Sequence, residues 1–365
     1  MPGVHVAVVG GGIVGCAAAA FLAEAGARVE LFERDTLAGA ASGRNSGSIQ
    51  HPFDPVLAQL HFETLRLYRE LDGFDLPEAP AGVLLLSRER PALVPTVAEI
   101  ASGQPELEPA LLDERELHRL EPGLGRKLWG CRLETGYPVR PEAATLAYAE
   151  RARRAGAMLH EGRGAWPWVM GRSARGVLAG GRHFPADVVL VTAGPWSPEV
   201  IDPTHAWRPI VPVWGVVVEV SVDSPPRHVL EEVGVEAVAA TGSTAGPPTS
   251  LFSMVAAGGA VTVGSTFLAE EPDPVLWAGQ LRRAGERFVP ALQRARVEAA
   301  RACARPQSID GRPLLGPAGG IDGLWIAAGH GPWGISAGPA SARLVADAVL
   351  GRAEVPAELS ASRFG

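Results

Sequence analysis

Apolar positions along the chain fall into two patterns. Residues 4–9, 27–32, 186–192 and 324–328 are nearly continuous apolar runs, the mark of parallel strands buried on both faces. Residues 209–222 alternate, as a long strand with one covered face does. Residues 251–255 and 260–266 predict a hairpin about Gly258 and Gly259. A further apolar strand at 82–87 follows a break at 77–80. Helical spacing runs through 57–71, where Leu57, Leu60, Phe62, Leu65, Tyr68 and Leu71 recur, and through 140–156, 274–290 and 338–350. Shorter helices are expected over 16–25 and 111–120. Residues 36–54 and 241–248 read as loops, and 123–136 as a connector. Strand–glycine turns lie near the start, middle and end of the chain. They predict one nucleotide domain assembled from three separated segments, with a mixed β-rich domain inserted twice.

The first of these turns carries the most chemistry. Gly10, Gly12 and Gly15 take the G-x-G-x-x-G positions between a strand and a helix. The first permits the tight turn, the second lets a pyrophosphate approach the backbone, and the third lets helix and strand pack closely. The helix N-terminus then faces the phosphates. The next strand ends at Glu33, placed to accept ribose hydroxyls. An acid there disfavours the 2′-phosphate of NADP. The unit suits NAD or the ADP half of FAD, and the glycines do not separate the two.

Composition narrows the setting. A net charge of −7 with no basic run argues against nucleic acid as a partner. A chain of 365 residues with 47% hydrophobic side chains has ample core for about two domains. No run approaches the roughly 20 uninterrupted apolar residues of a membrane span, so no transmembrane segment is expected. No basic stretch precedes the first apolar run, so the cytoplasm is the expected compartment. Cys16, Cys131 and Cys303 are too few and scattered for a disulfide framework or a zinc site, and no other metal spacing occurs. Lys127 is the only lysine.

Five motifs then occur in an order that resembles the D-amino-acid oxidase superfamily. They are the N-terminal unit, Ala-Ser-Gly-Arg-Asn-Ser-Gly at 41–47, Ala-Gly-Pro-Trp-Ser at 193–197, Cys-Ala-Arg-Pro-Gln-Ser-Ile-Asp-Gly at 303–311, and Ala-Gly-His-Gly-Pro-Trp-Gly at 328–334. The likeness is greatest to the glycine oxidase, sarcosine oxidase and D-amino-acid dehydrogenase branch and spans nearly the full chain. It implies an α/β plus α+β fold. Residues 1–78, 139–208 and 304–365 would form a Rossmann-type FAD-binding domain, and 79–138 with 209–303 an inserted mixed-sheet substrate domain. It also implies tightly bound FAD, which decides between the two dinucleotides. The implied reaction oxidises a small amino acid or N-alkyl amino acid from CH–NH to the imine, by hydride transfer to flavin N5. Oxygen, a quinone or a dye would accept the electrons. The alternatives are a 2-hydroxy-acid dehydrogenase of the same fold and a flavin-bearing assembly protein without turnover.

The same resemblance assigns candidate residues. Cofactor contacts fall on Gly10, Gly12, Ile13, Val14, Gly15, Glu33 and Arg34, and on Ser42, Arg44, Asn45, Ser46 and Gly47. Further contacts fall on Ala193, Gly194 and Trp196, and on Gly329, Gly331, Pro332, Trp333, Gly334 and Ile335. A helix beginning after 329–334 would stabilise negative charge on reduced flavin. Arg305 is expected to hold the substrate carboxylate, a task suited to a planar, always-ionised, bidentate donor. Arg312 is expected to be structural. His330 and His51 are candidates for polarising substrate or flavin. Cys303 stands where sarcosine-oxidase-like members attach the flavin. Those members continue Cys-x-Tyr-Thr, whereas Cys303-Ala304-Arg305-Pro306 matches the non-covalent ones, so non-covalent FAD is expected. The oxidases with covalent flavin carry a lysine that assists oxygen reduction. Here the hairpin offers Thr262 in its place, so oxygen is expected to be a poor acceptor.

Overall fold

The computed structural model describes residues 3–234 and 250–364. Their architecture is two large sheets with the chain passing repeatedly between them. The first sheet has six strands, in the order Leu314–Pro317, Leu324–Ala328, Val188–Val191, His5–Val9, Arg28–Phe32 and Met158–His160. The last five are parallel, and Leu314–Pro317 is antiparallel to its neighbour. Val6, Val8, Leu31 and Leu190 are fully buried, as the continuous apolar runs require. Helix Ile13–Glu24 is buried along nearly its whole length. Four successive alanines, Ala17–Ala20, let it pack closely against helices Ala143–Arg154 and Gly334–Val349.

The second sheet has eight strands, in the order Arg296–Ser308, Ile210–Ser221, Ala260–Thr266, Ser250–Ala257, Val229–Glu232, Val83–Ser87, Trp129–Leu133 and Ala110–Leu112. One of its faces is covered by helix Pro274–Gly285, with Val216, Val218, Phe252, Val263 and Leu281 in the contact. On the other face Val83, Leu85, Cys131 and Val229 pack under helix Arg90–Gly103, while Ser253, Ser265 and Arg305 line a cavity shared with the first sheet. A three-stranded antiparallel sheet, built from Ala165–Met170, Ser173–Ala179 and Arg182–Pro185, stands beside the parallel one.

Several elements differ from the sequence expectation, each for a local reason. Residues 111–120 are a strand, Ala110–Leu112, followed by helix Glu114–Leu120. Asp113 divides them, because its side chain accepts from Glu116 N while Glu116 reaches back to Asp113 N. The connector 123–136 contains strand Trp129–Leu133, which pairs with Val83–Ser87. A helix at Arg90–Gly103 forms despite Pro95, with Pro91 harmless in its first turn. The final helix begins at Gly334 rather than 338. The expected boundary at 303/304 falls inside the unbroken strand Arg296–Ser308, so Arg305 belongs to the large sheet. The loop expected at 241–248 lies outside the described residues.

Candidate active site

One continuous cavity runs from the first glycine turn to the face of the eight-stranded sheet. At the near end the three motif glycines do different work. Gly10 has φ +115°, and a Cβ there would lie 2.5 Å from Thr192 O. A Cβ on Gly15 would lie 2.0 Å from Gly10 O, so that glycine serves the close packing of helix on strand. Gly10, Gly12, Ile13 and Val14 line the cavity, whereas Gly15 does not. Helix Ile13–Glu24 has no acid in its first turn, and Ile13 N donates to Ser42 Oγ at 3.0 Å. The helix end therefore keeps its positive pole for an anion. Glu33 is held by two backbone donors, Gly11 N at 2.7 Å and Asp35 N at 2.9 Å. Its remaining lone pairs can accept ribose hydroxyls. The Arg34 guanidinium lies 3.9 Å from the centre of the Trp196 ring.

The 41–47 segment follows as a short helix, Ala41–Arg44, with an extended exit. Asn45 closes it locally. Its Nδ2 donates to Ala41 O and Ser42 O, and its Oδ1 accepts from Gly47 N. Gly47 has φ +84° and sits behind the loop, where a Cβ would meet Val139 O at 2.5 Å. The large sheet holds the loop from its other side. Arg301 donates to Arg44 O and Asn45 O while pairing with Glu219, and Thr262 Oγ1 donates to Ser46 O at 2.9 Å. Thr262 thus has a scaffolding contact, and Lys127 is exposed and outside the cavity lining. The Cys303 thiol lies 3.8 Å from Arg44 O, and burial pushes its pKa up.

The first turn of helix Gly334–Val349 forms the wall beyond the loop. Gly331, Pro332, Trp333, Gly334 and Ile335 line the cavity, and Gly329 lies behind them against Ile210. This turn is secured in an uncommon way. Pro339 has no N–H, so Ile335 O loses its helical donor. Tyr68 OH supplies one at 2.7 Å. The ring of His61 donates from Nδ1 to Ser336 O at 3.2 Å, and Ala340 N donates to Thr64 Oγ1 at 3.2 Å. Positions 61, 64 and 68 share one face of helix Pro55–Arg69, so one helix repairs the interruption in another. Burial lowers the His61 pKa to about 3.

The two candidate histidines part company. His330 lines the cavity, is 2% exposed, and has its pKa lowered to about 4 by burial, so its ring is neutral. His51 does not line the cavity. Its ring packs against His61 and Phe62, with Nε2 3.5 Å from Glu106 Oε1. His51 is therefore not brought to the site. The middle turn contributes Ala193, Gly194 and Trp196 to the cavity lining.

Arg305 occupies the far end. Its guanidinium donates to Thr266 O at 3.0 Å and to Ser265 Oγ, and lies 4.8 Å from the Phe267 ring centre. No carboxylate among the described residues pairs with it, and burial lowers its pKa. An arginine in such surroundings can take an anion from outside. Gly215 makes the pose possible, because a Cβ there would meet Arg305 Cζ, Nη1 and Nη2 at 2.5–2.6 Å. Neither Gly215 nor Ser265, Phe267, Gln50 and Glu231, which also line the cavity, stood out in the sequence. The one available signal was a glycine inside an alternating strand, which marks a close approach. Arg312 pairs with Asp54 at 2.8 Å, the N-cap of helix Pro55–Arg69, in keeping with a structural role.

The profile of the family described as FAD dependent oxidoreductase matches residues 5–348. A glycine oxidase of Pseudomonas aeruginosa is 30% identical over 95% of this chain and 95% of its own. The structure of a glycine oxidase from Geobacillus kaustophilus superposes with a TM-score of 0.84 at 25% identity, covering 100% of this chain and 99% of that one. That of an iminodiacetate oxidase from Chelativorans sp. BNC1 gives 0.82 at 26% identity, covering 97% and 98%.

Proposed function

The chain belongs to the FAD-dependent oxidoreductase family, and from that premise we propose that Arg305 holds the carboxylate of the amino acid it oxidises. The protein is an FAD-dependent amino acid oxidoreductase. Its substrate class is a small amino acid or N-alkyl amino acid, converted to the imine. The observation that carries the Arg305 assignment is its guanidinium, which lines the cavity with no carboxylate partner among the described residues. Glu33 and the start of helix Ile13–Glu24 would hold the ADP half of FAD. The 41–47 loop and the first turn of helix Gly334–Val349 would hold the flavin. The chemistry that FAD supplies when bound is acceptance of a hydride from the carbon bearing the amine. Around it, Ser265 and Thr266 hold the Arg305 fork in one orientation, so that the substrate enters with its carboxylate fixed. The uncapped N–H groups of the terminal helix favour negative charge beside them.

Two finer readings have separate support. A buried thiol whose pKa is raised, packed on Arg44 O, is a poor nucleophile. The FAD is accordingly non-covalent, and acid precipitation should leave the yellow colour in the supernatant; colour held in the pellet and lost in Cys303→Ala overturns this. With Lys127 away from the cavity, the electrons go to a quinone or dye faster than to oxygen. Anaerobic mixing with a panel of amino and 2-hydroxy acids tests the whole reading. Flavin bleaching with release of ammonia or amine is expected from amino acids. Subsequent mixing with oxygen or a quinone compares the two acceptors. Bleaching by hydroxy acids alone would refute amino acid oxidation.

A further inference from the structure

The cavity that holds Arg305 is also lined by Glu231. Strand Val229–Glu232 lies two strands from Ala260–Thr266, whose Ser265 and Thr266 hold the Arg305 fork. At the usual strand spacing that places the two backbones about 10 Å apart. Alternation along the strand sends Leu230 into the core under helix Pro274–Gly285, while Glu231, paired in register with Ser253, faces the cavity. Gln50 fixes this carboxylate. Its Nε2 donates to Glu231 Oε1 at 2.8 Å, and its backbone N donates to Ser336 Oγ at 3.0 Å on the terminal helix. Strand Ser250–Ala257 lies between them, and its Ser253, in register with both Glu231 and Gly264, lines the cavity together with Leu251.

We propose that Glu231 selects the substrate side chain: the preferred substrates are amino acids carrying a second, cationic group on a side chain of ornithine or lysine length. The inference rests on Arg305 holding the α-carboxylate. A side chain directed along the sheet from that anchor crosses strand Ser250–Ala257, past Ser253 and Leu251, toward Glu231. A cation arriving there gains a charge partner in surroundings of reduced dielectric, which strengthens the attraction. A second carboxylate arriving there meets like charge, so dicarboxylic substrates are disfavoured by the same group.

The test is anaerobic rapid mixing of the purified holoenzyme with each probe over a range of concentrations, with the rate of flavin bleaching followed by absorbance. The probes are both enantiomers of alanine, ornithine, lysine and aspartate, together with iminodiacetate. Ornithine or lysine is expected to half-saturate at a concentration about tenfold or more below that for alanine, with the two dicarboxylates weaker still. In Glu231→Gln the ornithine-to-alanine ratio should move toward one. Equal wild-type concentrations, or an unchanged ratio in Glu231→Gln, overturn the inference while leaving amino acid oxidation standing. Should Glu231→Gln fail to retain FAD, the wild-type series still decides, because preference for alanine or iminodiacetate over the basic amino acids is enough to reject it. Absence of bleaching by every amino acid sinks the oxidation reading together with the inference.

Discussion

Arg305 depends on what its neighbours lack. Gly215 has no side chain, and only from that vacancy can the guanidinium lie across the strand toward Ser265. Arg305→Ala should cost on the order of 2–5 kcal/mol of substrate binding, because a carboxylate would enter the cavity without its charge-assisted pair. Arg305→Lys should recover only part, since a point charge does not reproduce the fork. Gly215→Ala should resemble Arg305→Ala more than a simple strand substitution, with the guanidinium displaced and FAD retained. Substrate titrations on the three variants check this, and near-normal half-saturation in Arg305→Ala would remove the anchor. The arginine was visible in the sequence through its motif. Its support was not, because Gly215 and Ser265 become partners only through strand pairing.

Among the elements, the pairing of helix Pro55–Arg69 with helix Gly334–Val349 has a testable energetic logic. Tyr68 OH serves a carbonyl that Pro339 has deprived of its donor. Tyr68→Phe should therefore cost about 1–3 kcal/mol, the penalty of an unsatisfied buried carbonyl. Pro339→Ala restores a backbone N–H to the helix. In that background Tyr68→Phe should cost clearly less, and denaturant unfolding of the four proteins in the cycle measures the difference. Equal costs in both backgrounds would show that the hydroxyl acts through packing alone. Elements with strong local signals were legible: the strand–glycine–helix unit and the hairpin at Gly258 and Gly259 stand where the pattern put them. Strand Arg296–Ser308 was not, because its first four residues are exposed and Ala299-Ala300 breaks the alternation begun by Arg296, Val297 and Glu298. Trp129–Leu133 was hidden likewise by flanking glycines, and helix Arg90–Gly103 by its two prolines.

At the scale of the whole molecule, acid should unfold this protein through its histidines. His61 and His330 have folded-state pKa values lowered by burial to about 3 and about 4, against an ordinary 6.5. The fold thus prefers the neutral ring. The resulting stability is fully present above pH 6.5 and is lost as pH falls from there toward 4. Each histidine contributes a slope of about 1.4 kcal/mol per pH unit within that window. Urea unfolding of the FAD-free protein at pH 7, 6 and 5 should show the decline, and a flat profile would exclude it. The double variant His61→Asn, His330→Asn should flatten the curve whatever its absolute stability.

The parallel sheet takes its strands from His5–Val9 through to Leu324–Ala328, and the cavity takes its walls from the same span. During synthesis the glycine turn leaves the ribosome well before the Arg305 guanidinium and the start of helix Gly334–Val349. A nascent chain halted before Cys303 would carry the Glu33 and Asn45 segments and still lack both. Long-range pairing of this kind also folds slowly. FAD should therefore be retained only once helix Gly334–Val349 has emerged, and chains truncated before Cys303 should not hold it in an FAD-retention assay.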